Sequence, residues 1–175
     1  MIYFVLLLVI IVAVFAIVTV LTLIKTGVPF VSLSHKKIDK ILGFIKLDSD
    51  KVLYDLGCGD ARFLIKSYHK YHVSGVGYEL NSWALLRARI NIDLHKADVA
   101  VYNNNFLKID LSLADYIFVY LIPEAMAKLE KKLVNESRQP RMIISYGFCF
   151  PNLKPVRIFY TEDRHDLGRV YIYSV

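Results

Sequence analysis

Two carboxylates, Asp55 and Glu79, stand 24 positions apart, and just after the first comes Gly57-Cys58-Gly59. An acid closing an apolar lead-in, then a glycine pair, then a helix-like run is the grammar of a nucleotide-binding turn at the end of a parallel strand. Gly57 and Gly59 let the backbone bend sharply and approach a ligand closely. The dinucleotide fingerprint needs a third glycine after two intervening residues, and Arg62 stands there. Asp55 is a poor neighbour for a diphosphate and a good one for a cation. S-adenosylmethionine carries an ammonium, a carboxylate and a sulfonium but no phosphate, so Asp55 is expected to face its amino-acid end, directly or through water. Glu79 has the spacing at which an acid accepts from both ribose hydroxyls. Asn105 and Phe106 follow a third apolar run and are expected to meet the adenine edge and face.

Other reactive side chains carry less. His69 and His72 fall between a helix and a strand, where a solvated face is the better reading than a metal site. No metal is expected. Cys58 and Cys149 lack metal-ligand spacing and read as reduced thiols, Cys58 as a small residue in a tight turn. Trp83 packs near the cofactor or braces a sheet–helix interface. Lys128-Leu129-Glu130-Lys131-Lys132 reads as a charged helix face with opposite charges at helical spacing.

The elements that must position these residues alternate in period. Ser34 can cap a helix whose apolar positions are Ile38, Ile41, Leu42 and Ile45. Strands are expected over 51–57, 73–79, 99–103, 114–121 and 141–148. Helices are expected over 61–71, 82–96 and 123–136, the last with Pro123 at its start, an allowed place. Residues 156–175 hold two apolar strands joined by a charged turn. The alternation predicts an α/β fold: a doubly wound, mainly parallel, Rossmann-like sheet with an antiparallel C-terminal hairpin. Ligands bind such sheets beyond the carboxyl ends of the strands, where Asp55 and Glu79 would lie.

Met1 to Ile24 contains no charged side chain. As a helix this run would reach roughly 36 Å, enough to cross a hydrocarbon core of about 30 Å. It lacks the basic start and short apolar region of a cleaved signal peptide, and it lacks the polar face of a surface helix. One transmembrane helix is therefore expected over 1–24, then a linker and pre-domain helix over 25–48 and the main domain over 49–175. Lysines 25, 36, 37, 40 and 46 follow the span and none precedes it. The positive-inside rule then leaves the domain on the cytoplasmic side, or the matrix side in an organelle. The formal charge of +6 belongs entirely to residues after this run, and suits an anionic membrane surface, nucleic acid or plain solubility.

Asp55-Leu56-Gly57-Cys58-Gly59-Asp60-Ala61-Arg62-Phe63 resembles the first motif of class I S-adenosylmethionine-dependent methyltransferases. With Pro29-Phe30-Val31 before the first domain helix, Gly77-Tyr78-Glu79-Leu80-Asn81 with nearby Trp83, and Leu129-Glu130-Lys131-Lys132-Leu133, the chain resembles, more narrowly, the membrane-anchored lysine methyltransferases of mitochondria that modify the ATP synthase c subunit and the adenine nucleotide translocase, with their prokaryotic relatives. The resemblance implies that Asp55, Gly57, Gly59, Glu79 and Asn105 bind the cofactor, and that Pro29, Phe30 and Val31 fold over the site and gate the substrate. Ala61 stands where the family has glycine, a mild change if its backbone is helical. Tyr120-Leu121-Ile122-Pro123 replaces the family's Phe-Gly-Val-Pro beside the methyl group.

On this resemblance the expected activity is methylation of a lysine on an integral membrane protein, with Tyr120 touching the amine and Pro123 shaping the loop; core packing is the competing role for Tyr120. The alternatives are methylation of a lipid-soluble small molecule such as a quinone, a cofactor-binding scaffold without catalysis and, last, a nicotinamide oxidoreductase. No basic-aromatic patch points to a nucleic-acid partner.

Overall fold

The computed structural model describes residues 2–13, 32–136, 142–161 and 168–174. Two compact units divide the chain, residues 1–31 and 32–175. In the first, residues 2–13 form a helix, α1, whose large apolar side chains from Ile2 to Val12 are all exposed. Among the described residues, no helix is long and apolar enough to cross a membrane. The expected span over 1–24 is thus described only in part, because Met1 and residues 14–24 lie outside. Pro29, Phe30 and Val31 lie outside as well.

The second unit begins with α2 (His35–Phe44), capped by Ser34, whose hydroxyl accepts from the Lys37 amide. There follow β1 (Val52–Leu56), α3 (Arg62–Tyr71), β2 (Ser74–Tyr78), α4 (Ser82–His95), β3 (Val99–Tyr102), a 3₁₀ turn (Phe106–Lys108), β4 (Tyr116–Val119), α5 (Pro123–Val134), β5 (Met142–Tyr146), β6 (Arg157–Tyr160) and β7 (Arg169–Tyr173). The seven strands form one sheet in the order β3-β2-β1-β4-β5-β7-β6. β1 to β5 are parallel, and β7 runs antiparallel to both β5 and β6. The C-terminal hairpin therefore does not simply add to the edge: its second strand is inserted between β5 and its first.

Alternation along the strands sorts the core into two layers. Leu53, Phe118, Ile144 and Ile172 point to the side covered by Ile38, Ile41 and Leu42 of α2 and Phe63 and Leu64 of α3. Tyr54, Leu56, Ile117, Val119 and Ile143 point to the side covered by Met126, Leu129 and Leu133 of α5. The helix that precedes the first strand is thus part of the domain's core. Its C-terminal carbonyls are closed by α3, since the Tyr71 hydroxyl and the Lys70 ammonium both donate to the Leu42 carbonyl oxygen. Glu130, read from sequence as part of a charged face, is buried and accepts from the amides of Asn152 and Leu153 and from the Asn152 side chain.

Candidate active site

From β1 the chain turns to β2 on one side and later returns to β4 on the other, so the strand order reverses at the carboxyl end of β1. Open sheets bind ligands at that crevice. Asp55 sits there, in register with Gly77 of β2 and Phe118 of β4. It is only 3% exposed. Burial pushes its carboxyl well above the usual range, and the nearby charges of Glu79 and Asp60 push it the same way. Among the described residues the Asp55 carboxyl has no hydrogen-bond or ion-pair partner. A buried carboxyl without a partner is costly, and a ligand cation would satisfy it.

The turn beyond it has three left-handed residues, Gly57 (φ 91°), Gly59 (φ 58°) and Ala61 (φ 63°). Ala61 is therefore not helical, as its mild substitution for glycine required; it carries a left-handed backbone that disfavours a Cβ. The loop is fastened to β2. The amides of Gly57 and Cys58 both donate to the Tyr78 carbonyl oxygen, at 2.8 and 3.1 Å. The Gly59 amide donates to Glu79 Oε2 at 3.0 Å, and Glu79 Oε1 accepts from the Asn81 amide at 2.7 Å. A carboxylate has about four acceptor positions, so Glu79 braces the loop and keeps capacity for hydroxyl donors. Asn103, which the sequence did not single out, donates to the Glu79 carbonyl oxygen and joins the end of β3 to the same corner.

Asp60 and Arg62 form a further brace. The guanidinium grips both Asp60 oxygens and also donates to the Leu33 carbonyl oxygen at 3.1 Å. Burial pushes the Asp60 carboxyl up, but hydrogen bonding and charge from Arg62 outweigh it and hold the group below the usual range. The Cys58 thiol is buried and raised first by burial, then by the charges of Asp55 and Glu79, so it is a poor nucleophile.

Asn105 and Phe106 lie where β3 ends, but Asn105 Oδ1 already accepts from the Leu107 amide and caps the 3₁₀ turn. Its amide donors are what it has left for an adenine edge. Phe106 begins that turn and packs against the core layer of Tyr54 and Leu111. Trp83 does not brace a sheet–helix interface: it is 61% exposed, and Ala84, Leu85, Ala88 and Ile92 form the buried side of α4.

On the opposite flank, Tyr120 and Pro123 bound the stretch between β4 and α5, with Pro123 as the first residue of α5. A Cβ on Gly57 would meet Leu121 at 3.3 Å, and one on Gly147 would meet the Tyr120 ring at 3.3 Å. The glycine loop and the Tyr120–Pro123 stretch are thus neighbours. Tyr120 is half-buried, edge-on to Tyr146 at 5.0 Å, and Lys37 of α2 reaches over the Tyr146 ring at 5.9 Å. Burial pushes the Tyr120 hydroxyl up, Tyr146 adds to this, and the Lys37 charge opposes it. Lys37 and Tyr146 carried no signal in the sequence, because only folding brings them together.

Strand order, switch-point acid and braced glycine loop define a Rossmann-like, S-adenosylmethionine-dependent methyltransferase. A solved RNA methyltransferase from Salinibacter ruber, in complex with S-adenosyl-L-homocysteine, superposes with a TM-score of 0.75 at 26% identity, covering 83% of this chain and 94% of its own. The model of the ANTKMT methyltransferase domain matches residues 55–157, and the chain belongs to that family. It is 28% identical, over 85% of its length and 94% of the relative's, to a protein-lysine N-methyltransferase of Saccharolobus islandicus. It is 30% identical to the human lysine N-methyltransferase of the ATP synthase c subunit over 75% of its length, and spans 56% of that relative.

Proposed function

We propose that this chain is a membrane-anchored protein-lysine N-methyltransferase, with residues 1–24 as a single-pass anchor, 25–48 as linker and a pre-domain helix that packs into the core, and 49–175 as the rest of the catalytic domain, on the cytoplasmic or matrix side. The methyltransferase reading rests on one observation above all: Asp55, a buried carboxyl without a partner, stands at the switch point beside a loop braced by Glu79. Lysine as substrate is supported by the Saccharolobus relative, of which the chain covers 94%. Anchoring is supported by the uncharged run of residues 1–24 and by α1, apolar on every side, a pattern suited to lipid and not to water. Tethering raises the effective concentration near an integral membrane protein, the substrate class proposed here.

S-adenosylmethionine, when bound, supplies an electrophilic methyl group on a sulfonium. Asp55 would answer its cationic end, Glu79 would accept from its ribose hydroxyls, and Asn105 and Phe106 would border its base. Gly57 and Gly59 leave room for it. The chain must also align the acceptor, and alignment alone contributes several kcal/mol. A lysine ammonium has no lone pair and must shed a proton first. A partly desolvated mouth favours the neutral amine, and so does a fixed cation nearby, which Lys37 provides. Tyr120 keeps its proton at neutral pH and meets the amine as a neutral hydrogen-bond partner, with Pro123 shaping the loop. Pro29, Phe30 and Val31 would gate this mouth.

A second reading, RNA methylation, is favoured by the Salinibacter relative. One experiment separates these. The full chain, methyl-tritiated cofactor and native membranes with added RNA are incubated, then divided into protein, lipid and RNA. Label recovered as methyl-lysine supports the proposal. Label in lipid supports a small-molecule acceptor, and label in RNA the second reading. Cofactor binding with no label anywhere leaves a scaffold.

A further inference from the structure

α4 has two apolar faces where a surface helix has one. Ala84, Leu85, Ala88 and Ile92 face the core. On the other side Trp83, Leu86, Ile90 and Leu94 recur at steps of three and four, which stacks them in one stripe along the helix. All four are exposed, Trp83 at 61% and Leu94 at 73%. Leu80, just before the helix at the cofactor end of the sheet, is exposed too. Arg87 flanks it, 4.0 Å from Asp60 and with its side chain still 63% exposed, and exposed Arg89, Asp93, His95 and Lys96 lie farther round the helix and at its end. The stripe plays no part in the site described above.

We propose that this face of α4 rests on the surface of a phospholipid bilayer, with Trp83 and Leu86 at the headgroup–acyl boundary and the arginines on anionic headgroups. Two features favour lipid over a protein partner. Tryptophan beside arginine is the composition of a membrane interface, where the indole and the long basic side chains each have an apolar body and a polar end. The chain's positive charge also lies entirely after residue 24, on the part that would face anionic headgroups. The proposal draws on the anchored reading only for proximity to the bilayer. Contact along α4 would set the cofactor end of the sheet, where Leu80 and Trp83 sit, beside the membrane.

Trp83 is the only tryptophan in the chain, so its fluorescence reports this face alone. The full chain is reconstituted into vesicles of phosphatidylcholine and phosphatidylglycerol, with ordinary or brominated acyl chains. The expected emission falls roughly twofold with brominated lipid and is protected from aqueous iodide, as an indole lying in the interface requires. Leu86→Glu with Ile90→Glu, both on the exposed side, should abolish the bromine quenching and leave the circular-dichroism melt unchanged. Full quenching by iodide with none by bromine overturns the proposal. So does an emission that shifts with protein concentration without bromine quenching, which would mean a second copy covers the stripe, or protection from both quenchers, which would mean this chain's own apolar run covers it. Bromine quenching that survives the double substitution also overturns it. An alkaline carbonate wash separates the anchored reading: loss of the protein from the vesicles counts against the anchor and leaves the quenching result to be judged alone.

Discussion

Gly77→Ala tests whether the cofactor loop is held in place by shape. A Cβ at Gly77 would lie 2.6 Å from Cys58 Sγ, 2.9 Å from Cys58 Cβ and 3.0 Å from Leu64 Cδ1. Comfortable carbon contacts lie at about 3.5–4.0 Å, so the neighbours must move by more than about half an ångström. Leu64 can yield at its methyl tip. Cys58 cannot yield without its backbone, because its amide and that of Gly57 are fastened to the Tyr78 carbonyl oxygen. Overpacking of this kind costs about 1–3 kcal/mol, which for a domain of this size lowers the melting temperature by about 3–10 °C. The shift should also disturb the Gly59–Glu79 bond and weaken binding of S-adenosylhomocysteine. Cys58→Gly removes both clashing atoms of the loop. Alone it should destabilise by about 1–2 kcal/mol through lost packing and added chain freedom. Combined with Gly77→Ala it should fall short of the sum by at least about 1 kcal/mol. Thermal melts and calorimetric titration of the four proteins decide this. A Gly77→Ala protein within about 0.5 kcal/mol of the parent, or a strictly additive double substitution, refutes the steric account.

Asp55 should make cofactor binding depend on pH. Its folded-state pKa is raised by burial, so the cofactor-free fold holds an extra proton between the ordinary carboxyl value and the raised one, and its stability falls as pH rises through that window. A cationic ligand prefers the ionised group, so affinity should climb with pH up to tenfold per unit and level off above the raised pKa; Asp55→Asn should flatten the calorimetric profile, and equal slopes for both proteins would contradict this. At Ala61, glycine relieves about 1–2 kcal/mol of left-handed strain but loses about 0.8 kcal/mol of methyl burial and adds chain freedom. Ala61→Gly should therefore melt within about 1 kcal/mol of the parent, whereas Ala61→Val should lose more than about 2 kcal/mol. If lysine is the acceptor, Lys37→Met should move the pH–rate profile to higher pH while Lys37→Arg preserves it; coincident profiles would remove Lys37 from the amine's environment.

The strands, the Asp55–Gly57–Gly59 turn and the Glu79 corner were legible because local signals agree: apolar runs of strand length, glycines where the chain must bend, acids where runs end. What was not legible depends on distance. α4 is apolar on both sides, so periodicity cannot tell its core face from its outer face, and Trp83 misleads for that reason. Ala61 lies in a turn closed by its own amide on the Cys58 carbonyl oxygen, which imposes a backbone that alanine alone does not suggest. Asn105 invites a ligand role by its chemistry, yet its side-chain oxygen already serves the local chain. Lys37 and Tyr146 meet only because α2 packs on the sheet. The order of β5, β7 and β6 is likewise a long-range pairing that a hairpin signal cannot specify.

That last pairing has a consequence during synthesis. β6 leaves the ribosome before β7, and among the described residues β7 is the only strand it pairs with. Until Arg169–Tyr173 emerges, the outer edge of Met142–Tyr146 stays open and β6 hangs as a free apolar strand, both able to recruit a foreign strand. A nascent chain stalled a few residues short of β7 therefore presents two sticky edges at once, and β7 acts as the bolt that closes the sheet.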